Sequence, residues 1–457
     1  MPKTFPQLIS DSYQRRLEGF QAAHSDPDWL AKRLAEFPNY PLFAEHLQLL
    51  WGTSDFVGEQ SETYPEMFQQ LVDSGDLQRS YSREDFQQAI SQRLLHLKDA
   101  VNEDQLARAL RQFRRREQVR IIWRDFSRQA SMPETTRELT WMAEAAITVS
   151  LDRLHQITCE ELGTPFNGTD QGALGQKMLV LAMGKMGAEE LNLSSDIDLI
   201  FAYPEKGETR RGATSPRGKT VSHQEFFTRL GQKLIAALDR QTADGFVFRV
   251  DMRLRPYGQS GALVMSFDAL EEYYLTQGRE WERFAMVKAR AVAGESRDIQ
   301  QLDEILRPFV YRKYLDFGAI DALRDLKCSI NRELKRKGMQ TDIKLGPGGI
   351  REIEFITQAF QLVRGGRNSA LQIPSLYQAL QQLGADQIIG SSDRDSLWNA
   401  YSFLRNTEHA LQGIADKQTQ QLPEDELSQQ RVALIVGCDS WADFQQQLQG
   451  HRDYVMS

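Results

Sequence analysis

Two aspartates one residue apart, Asp196 and Asp198, open the apolar run Ile197, Leu199, Ile200, Phe201, Ala202, Tyr203. Side chains alternate across a strand, so positions i and i+2 share a face, roughly 7 Å apart along the backbone. Two carboxylates held that close repel each other unless something positive lies between them. Divalent metal ions fill that role, and Mg²⁺ favours a few carboxylates together with phosphate oxygens. An Asp-x-Asp pair entering a strand therefore points to metal-dependent phosphate chemistry. A third carboxylate, Asp251, stands in FVFRVDMRL (246–254), where Val250, Met252 and Leu254 alternate with Arg249, Asp251 and Arg253. That period predicts a half-buried strand with Asp251 between two arginines on its polar face. Arginines in such a place can clamp phosphate oxygens in a bidentate way.

Elements before and after the pair must position it. Met178 to Met183 is a continuous apolar run ended by Gly184, the pattern of a buried strand. In the following GKMGAEELNLSS, Gly184 and Gly187 permit a tight turn and the close approach of a ligand. Ala188 to Leu191 predict a short helical turn, and free amides at a helix start can hold an anion. Ser194 and Ser195 place hydroxyls beside the aspartates. The loop is not of the Walker A type, because G-x-x-x-x-G-K-[ST] is absent. Pro256 marks the end of the later strand or an edge position. An isolated Asp-x-Asp is more often a solvated pair, and Arg-x-Asp-x-Arg on a strand is more often an ion-pair ladder. Buried strand, glycine loop, Ser-Ser-Asp-x-Asp and a later Asp among arginines, in that order, are a far rarer combination.

GKMGAEELNLSSDIDLIF followed by RVDMRLRPYGQSG resembles the nucleotidyltransferase superfamily related to DNA polymerase β. More narrowly it resembles the glutamine synthetase adenylyltransferase/adenylyl-removing family, whose members are long bifunctional chains with two related halves. REWERFAMVKARAVAG (279–294), RPFVYRKYLDF (307–317) and KLGPGGIREIEFITQ (344–358) extend the resemblance over roughly residues 100–420. The form GGIREIEF points to the first, adenylyl-removing half.

The resemblance implies a predominantly helical α+β fold. Its polymerase β-like mixed-sheet core would cover 141–300, between an N-terminal helical region (1–140) and a C-terminal helical bundle (301–457). It implies phosphorolysis: inorganic phosphate removes AMP from a tyrosine of adenylylated glutamine synthetase, giving ADP and restoring the synthetase. Two Mg²⁺ ions, or Mn²⁺ in their place, would stabilise the attacking and leaving oxygens. Asp196 and Asp198 would hold both metals, and Asp251 would help hold the catalytic one and orient the nucleophile. Gly184, Lys185, Gly187, Ser194 and Ser195 would form the phosphate loop, with Arg253, Arg255, Lys288 and Arg290 neutralising charge. Glu282, Arg283, Gly348, Gly349, Arg351 and Glu354 would brace that layer. Many superfamily members carry Gly-Ser in the loop. Here it reads Gly184-Lys185-Met186-Gly187, so Lys185 or the serines Ser194 and Ser195 would replace the usual contact. Implied partners are uridylylated PII signal protein and the C-terminal transferase half of the same polypeptide. The aspartates alone leave the direction of transfer open. A nucleotidyltransferase with another protein, RNA or small-molecule acceptor is the alternative, and a regulatory module with a degenerate site is a third.

Composition narrows the partners. The 457 residues carry 55 basic and 63 acidic side chains, a net charge of −8, which argues against nucleic acid as partner. Cys159, Cys328 and Cys438 are widely spaced and odd in number, as in a cytoplasmic protein with reduced thiols. The N-terminus lacks the apolar core of a signal peptide, and no run approaches the roughly 20 apolar residues of a membrane span. Leu106, Leu110, Phe113 and Glu117 follow helical spacing. The run RQFRRREQVR (111–120) predicts a solvated helix face with acidic neighbours, and His155 with Cys159 predicts ordinary helix packing rather than a metal pair. Residues 206–220 predict a polar mobile loop near the active strand. Residues 320–338 predict a basic-ended amphipathic helix, and Gly346-Pro347-Gly348-Gly349 a second helix start. The chain ends without an obvious stop, which suits a fragment of a longer enzyme.

Overall fold

Alternating and continuous apolar runs become a small mixed sheet set among helices in the computed structural model, which describes residues 5–36, 42–95, 101–166, 175–210, 220–313 and 341–457. The helices α1 (Gln7–Ala23), α2 (Trp29–Glu36), α3 (Phe43–Thr53), α4 (Asp55–Thr63), α5 (Pro65–Asp73), α6 (Arg83–Leu95), α7 (Glu103–Phe126) and α8 (Met132–Leu162) come first. The central region follows as β1 (Thr164–Pro165), β2 (Leu179–Ala182), α9 (Gly184–Gly187), β3 (Ile197–Tyr203), β4 (Thr209–Arg210), α10 (His223–Asp239), β5 (Val250–Asp251), β6 (Val264–Ser266), α11 (Phe267–Thr276), α12 (Glu280–Met286) and β7 (Arg290–Ala293). Then come α13 (Ser296–Val310), α14 (Ile350–Arg364), α15 (Leu376–Ala385), α16 (Ser391–Gly413), α17 (Glu426–Val436) and α18 (Trp441–Met456). The expected loop at 206–220, over residues 211–219, and the expected helix at 320–338 with Cys328 lie outside the described residues. The border placed at residue 140 falls inside α8, which runs unbroken to Leu162.

Local chemistry accounts for the long helix α7. Asn102 and Gln105 exchange side-chain and backbone hydrogen bonds of 2.9 and 3.0 Å, a capping box that starts α7. The basic run 111–120 within it is not a solvated face. Arg111, Arg114, Glu117 and Arg120 are buried. Arg120 donates to Glu117 at 2.8 Å and to Glu138 of α8 at 2.6 Å, while Arg111 donates to the carbonyls of Ala237 and Gly245 around the end of α10. Acceptors arriving from other helices turn an apparent surface patch into an internal brace, which helical periodicity alone does not reveal. His155 packs edge-on against Phe226, in keeping with ordinary helix packing, and burial pulls its imidazole down to about 4.

The sheet order is β5-β3-β2-β7, with β6 also paired to β3. β2 runs antiparallel to β3, in register Ala182↔Leu199 to Leu179↔Ala202. β5 and β6 run parallel to β3 and follow each other along its outer edge. Both faces of the sheet are covered. Val180, Ala182, Leu199 and Phe201 join the large core shared with the N-terminal and C-terminal helices, which includes Trp51, Trp123 and Leu404. Leu179, Leu181, Ile200 and Ala202 pack on α11 and α13 through Phe267, Tyr274 and Phe309. Burial on two faces is why β2 and β3 read as continuous apolar runs rather than alternating ones. Among the described residues no helix is long and apolar enough to cross a membrane.

Candidate active site

The antiparallel turn from β2 into β3 delivers the glycine loop to the aspartates. Met183 N donates to the carbonyl of Asp198 at 2.9 Å, and Gly184 follows at once with φ +57°. A Cβ on Gly184 would stand 3.2 Å from Asp198 Oδ2. Gly187 serves packing instead: its Cβ would overlap the carbonyl oxygen of Lys288 and lie 2.5 Å from that of Ala182. The short helical turn occupies Gly184–Gly187 itself rather than 188–191. Glu189, at φ +60°, lies just beyond its end. Gly184→Ala is expected to cost about 1–2 kcal/mol, because a left-handed L-residue clashes with its own carbonyl. A urea titration with an unchanged midpoint would contradict this.

On the other edge of β3, Asp198 is the register partner of Asp251 in β5. Asp196 lies one residue before the strand begins. The strand expected through Leu254 stops at Asp251, because the Asp251 carboxylate accepts the backbone N–H of Arg253 at 2.8 Å and turns the chain. Burial, then Asp251 and Asp196, push the half-buried Asp198 carboxyl up to about 6. Burial also works to raise Asp251, but the Arg253 guanidinium, at 2.5 Å, holds it below the usual carboxylate range. Asp196 accepts from Arg249 Nε at 2.8 Å, and Arg249 also donates to the Ser194 carbonyl and hydroxyl at 3.0 Å.

The three carboxylates thus meet at one end of the sheet without forming a single ligand set. Among the described residues no group of three or more His, Cys, Asp or Glu is gathered closely enough to hold a metal ion. Arg249 and Arg253 engage the two outer aspartates. Asp198 is left with like charges as neighbours, the conflict that a divalent cation relieves. The donors are carboxylate oxygens, which suit Mg²⁺ or Mn²⁺, and the bare Gly184 leaves room beside Asp198. Asp198 and Asp251 would hold such an ion, joined by Asp196 once Arg249 releases it.

Most of the other cations expected at phosphate are engaged elsewhere. Lys185 donates to Glu408 of α16 at 2.9 Å. Lys288 is buried between Glu190 (3.2 Å) and Glu354 (2.9 Å). Arg290 bonds Glu144 and, at 2.9 Å, the Gly187 carbonyl. Arg255 ties its own loop together through the carbonyls of Met252, Gln259 and Gly261. Ser194 is buried and donates to the Asp416 carbonyl at 3.1 Å. These residues shape the site from behind. Arg253, 70% exposed, and the half-buried Ser195 stay open beside the aspartates. Glu282 accepts from Tyr273 Oη at 2.7 Å and Arg283 donates to the Val310 carbonyl at 2.9 Å. Gly348, at φ +61°, packs on the Arg452 backbone, and Gly349 caps α14. Arg351 is exposed. Burial works to raise Glu354, but Lys288, Lys185 and Lys344 hold it down to about 2. Glu408 and Lys344 are site neighbours to which the sequence assigned no role, and Arg249, expected as a phosphate clamp, instead holds Asp196 and Ser194. Lys344 stands inside a motif already singled out, and Glu408 carries no local signal at all.

Residues 44–305, the stretch containing the glycine loop and all three aspartates, match the profile of the glutamate-ammonia ligase adenylyltransferase family. The chain belongs to that family. Residues 324–457 match a profile described as GlnD PII-uridylyltransferase. Among relatives of the glutamate-ammonia ligase adenylyltransferase family, the bifunctional glutamine synthetase adenylyltransferase/adenylyl-removing enzyme of Pseudomonas syringae pv. tomato is 50% identical over 452 residues, 99% of this chain and 45% of the relative. The enzyme of the same name from Pseudomonas aeruginosa is 51% identical over 416 residues, covering 91% and 41% of the two chains. That of Hahella chejuensis is 48% identical over 451 residues, covering 99% and 45%. The chain spans less than half the length of these relatives.

Proposed function

We propose that this chain removes AMP from a tyrosine of adenylylated glutamine synthetase by phosphorolysis, in the cytoplasm. The observation that carries the reading is the register pairing of Asp198 with Asp251, flanked by Asp196 and by a glycine that leaves space at Asp198 Oδ2. An oxygen of HPO₄²⁻ attacks the AMP phosphorus in line. A new P–O bond forms, the P–O(tyrosine) bond breaks, and the tyrosine oxygen leaves with its electron pair and takes the proton of the phosphate. The products are ADP and unmodified tyrosine. Bound Mg²⁺ would supply positive charge at the entering and leaving oxygens. Arg253 is exposed next to Asp251 and orients phosphate oxygens, while Arg249 sets the position of Asp196.

The names of the relatives support glutamine synthetase as the substrate, and the match of residues 324–457 supports PII signal protein, in its uridylylated form, as the regulatory partner. Their greater length supports a transferase half as the other working partner. The test is to incubate the chain with adenylylated synthetase and Mg²⁺, with and without phosphate, and separate the nucleotides. Phosphate-dependent ADP is expected. AMP formed equally without phosphate would replace phosphorolysis by hydrolysis.

A further inference from the structure

Phosphorolysis requires a dianion to approach an AMP phosphodiester across a site that already holds three carboxylates. A cation must receive it, and Lys185, in the glycine loop, is bound to Glu408. The turn before α14 offers another. Asp342 accepts the amides of Lys344 and Leu345 at 2.8 and 2.7 Å, and Arg351 N donates to the Lys344 carbonyl at 3.1 Å. Arg452 and Gln421 grip Asp342 from outside at 2.8 and 3.1 Å, and Ile343 N donates to the Gln420 carbonyl at 3.0 Å.

The segments that hold this turn also hold the aspartate loop. Gln412 accepts from Ser194 N at 2.8 Å and the Asp416 carbonyl accepts from Ser194 Oγ at 3.1 Å, two residues before Asp196. On the other side, Glu354 of α14 binds Lys288, whose carbonyl lies against Gly187. Lys344 therefore sits between two bridges to the catalytic loop. Its side chain is half-buried, and no carboxylate lies within ion-pairing distance among the described residues, whereas Lys185 and Lys288 are both paired. Its charge favours the ionised forms of Glu354 and Glu408, the partners of Lys288 and Lys185, so it acts where the start of α14 and α16 meet the glycine loop.

We propose that Lys344 binds the attacking inorganic phosphate, as the point cation that the glycine loop does not supply. This rests on the phosphorolytic reading above. An ammonium on a rigid turn can follow the phosphate as its oxygen forms the new bond to the AMP phosphorus, and it need not be bidentate to do so.

Lys344→Met keeps the apolar stem and removes the charge, and Lys344→Arg restores a cation. With adenylylated synthetase, Mg²⁺ and varied phosphate, Lys344→Met should raise KM for phosphate about tenfold or more while KM for the synthetase stays unchanged, and Lys344→Arg should recover part of the loss. Titration calorimetry of each chain with inorganic phosphate alone gives the second readout, with weaker binding expected for Lys344→Met. An unchanged phosphate KM and affinity in a folded Lys344→Met, or a fall in kcat alone, would overturn the assignment. If the wild-type chain forms no ADP, the phosphorolytic reading fails instead, and calorimetry still decides whether Lys344 binds phosphate. Should Lys344→Met not fold, Lys344→Gln replaces it in both measurements, and an unchanged phosphate KM and affinity in a folded Lys344→Gln would overturn the assignment.

Discussion

Asparagine at position 198 should leave a folded protein whose ADP formation falls on the order of a thousandfold or more. The substitution is nearly isosteric. It retains the backbone bond from Met183 N to the carbonyl of residue 198 and the packing of Ile197 and Leu199 on either side. It removes the carboxylate that register places against Asp251 and that Gly184 leaves uncovered. Stability should not fall with activity. Burial and two like charges raise Asp198 from 3.8 to about 6, so the folded chain holds this proton more tightly than the unfolded chain does. As pH rises from about 4 through 6, the unfolded state gives up the proton first and the metal-free fold loses stability from this group. A neutral side chain does not pay that penalty. Thermal melts of metal-free Asp198→Asn above pH 6 should therefore match or exceed wild type. A lower melting temperature accompanying the lost activity would mean that Asp198 is structural.

The largest effect on stability is expected at Glu408. It is fully buried and accepts from Lys185 at 2.9 Å, with Arg405 at 3.6 Å. Alanine there leaves the buried Lys185 ammonium without its partner, a class of change that destabilises proteins by about 3–5 kcal/mol. Urea denaturation at neutral pH measures it directly. The pH dependence has a definite sign. Burial works to raise Glu408, but Lys185, Lys344 and Arg405 hold it at about 2, against 4.5 for the ordinary group. Its contribution is complete above about pH 4.5 and disappears as pH falls toward 2. Glu354 behaves alike. Wild type should lose stability steeply through this acid window, and Glu408→Ala less steeply. Parallel curves would show that the pair is not coupled to folding. Because Lys185 belongs to α9, loosening it should also displace the loop that carries Gly184 next to Asp198.

How far the site can be read from sequence depends on where each residue's partners come from. Asp196, Asp198, Gly184 and β2 lie within one hairpin-like unit, so local patterns reveal both the elements and their meeting point. Asp251 is visible through its alternating neighbours, although its strand ends three residues early because a carboxylate-to-amide bond turns the chain. The cations behave differently. Lys185 finds its acceptor 223 residues away, Lys288 98 residues away and Arg290 146 residues away. Nothing local tells a lysine that binds phosphate from one that binds a distant glutamate. The same reason hid the burial of Arg111 and Arg120, whose partners come from α8 and α10, and it hid Lys344. That residue stands in a motif noted for its glycines, yet its turn is joined to the aspartate loop only because the segment 412–421 folds back against Ser194.

The central claim is that inorganic phosphate attacks the AMP phosphorus at Asp196, Asp198 and Asp251. The most direct measurement supplies labelled inorganic phosphate to this chain with adenylylated glutamine synthetase and Mg²⁺, and locates the label. The account predicts label in the β-phosphate of ADP, with none transferred by Asp198→Asn. Label remaining in inorganic phosphate while AMP is released, or nucleotide passing from ATP onto unmodified synthetase, would contradict it.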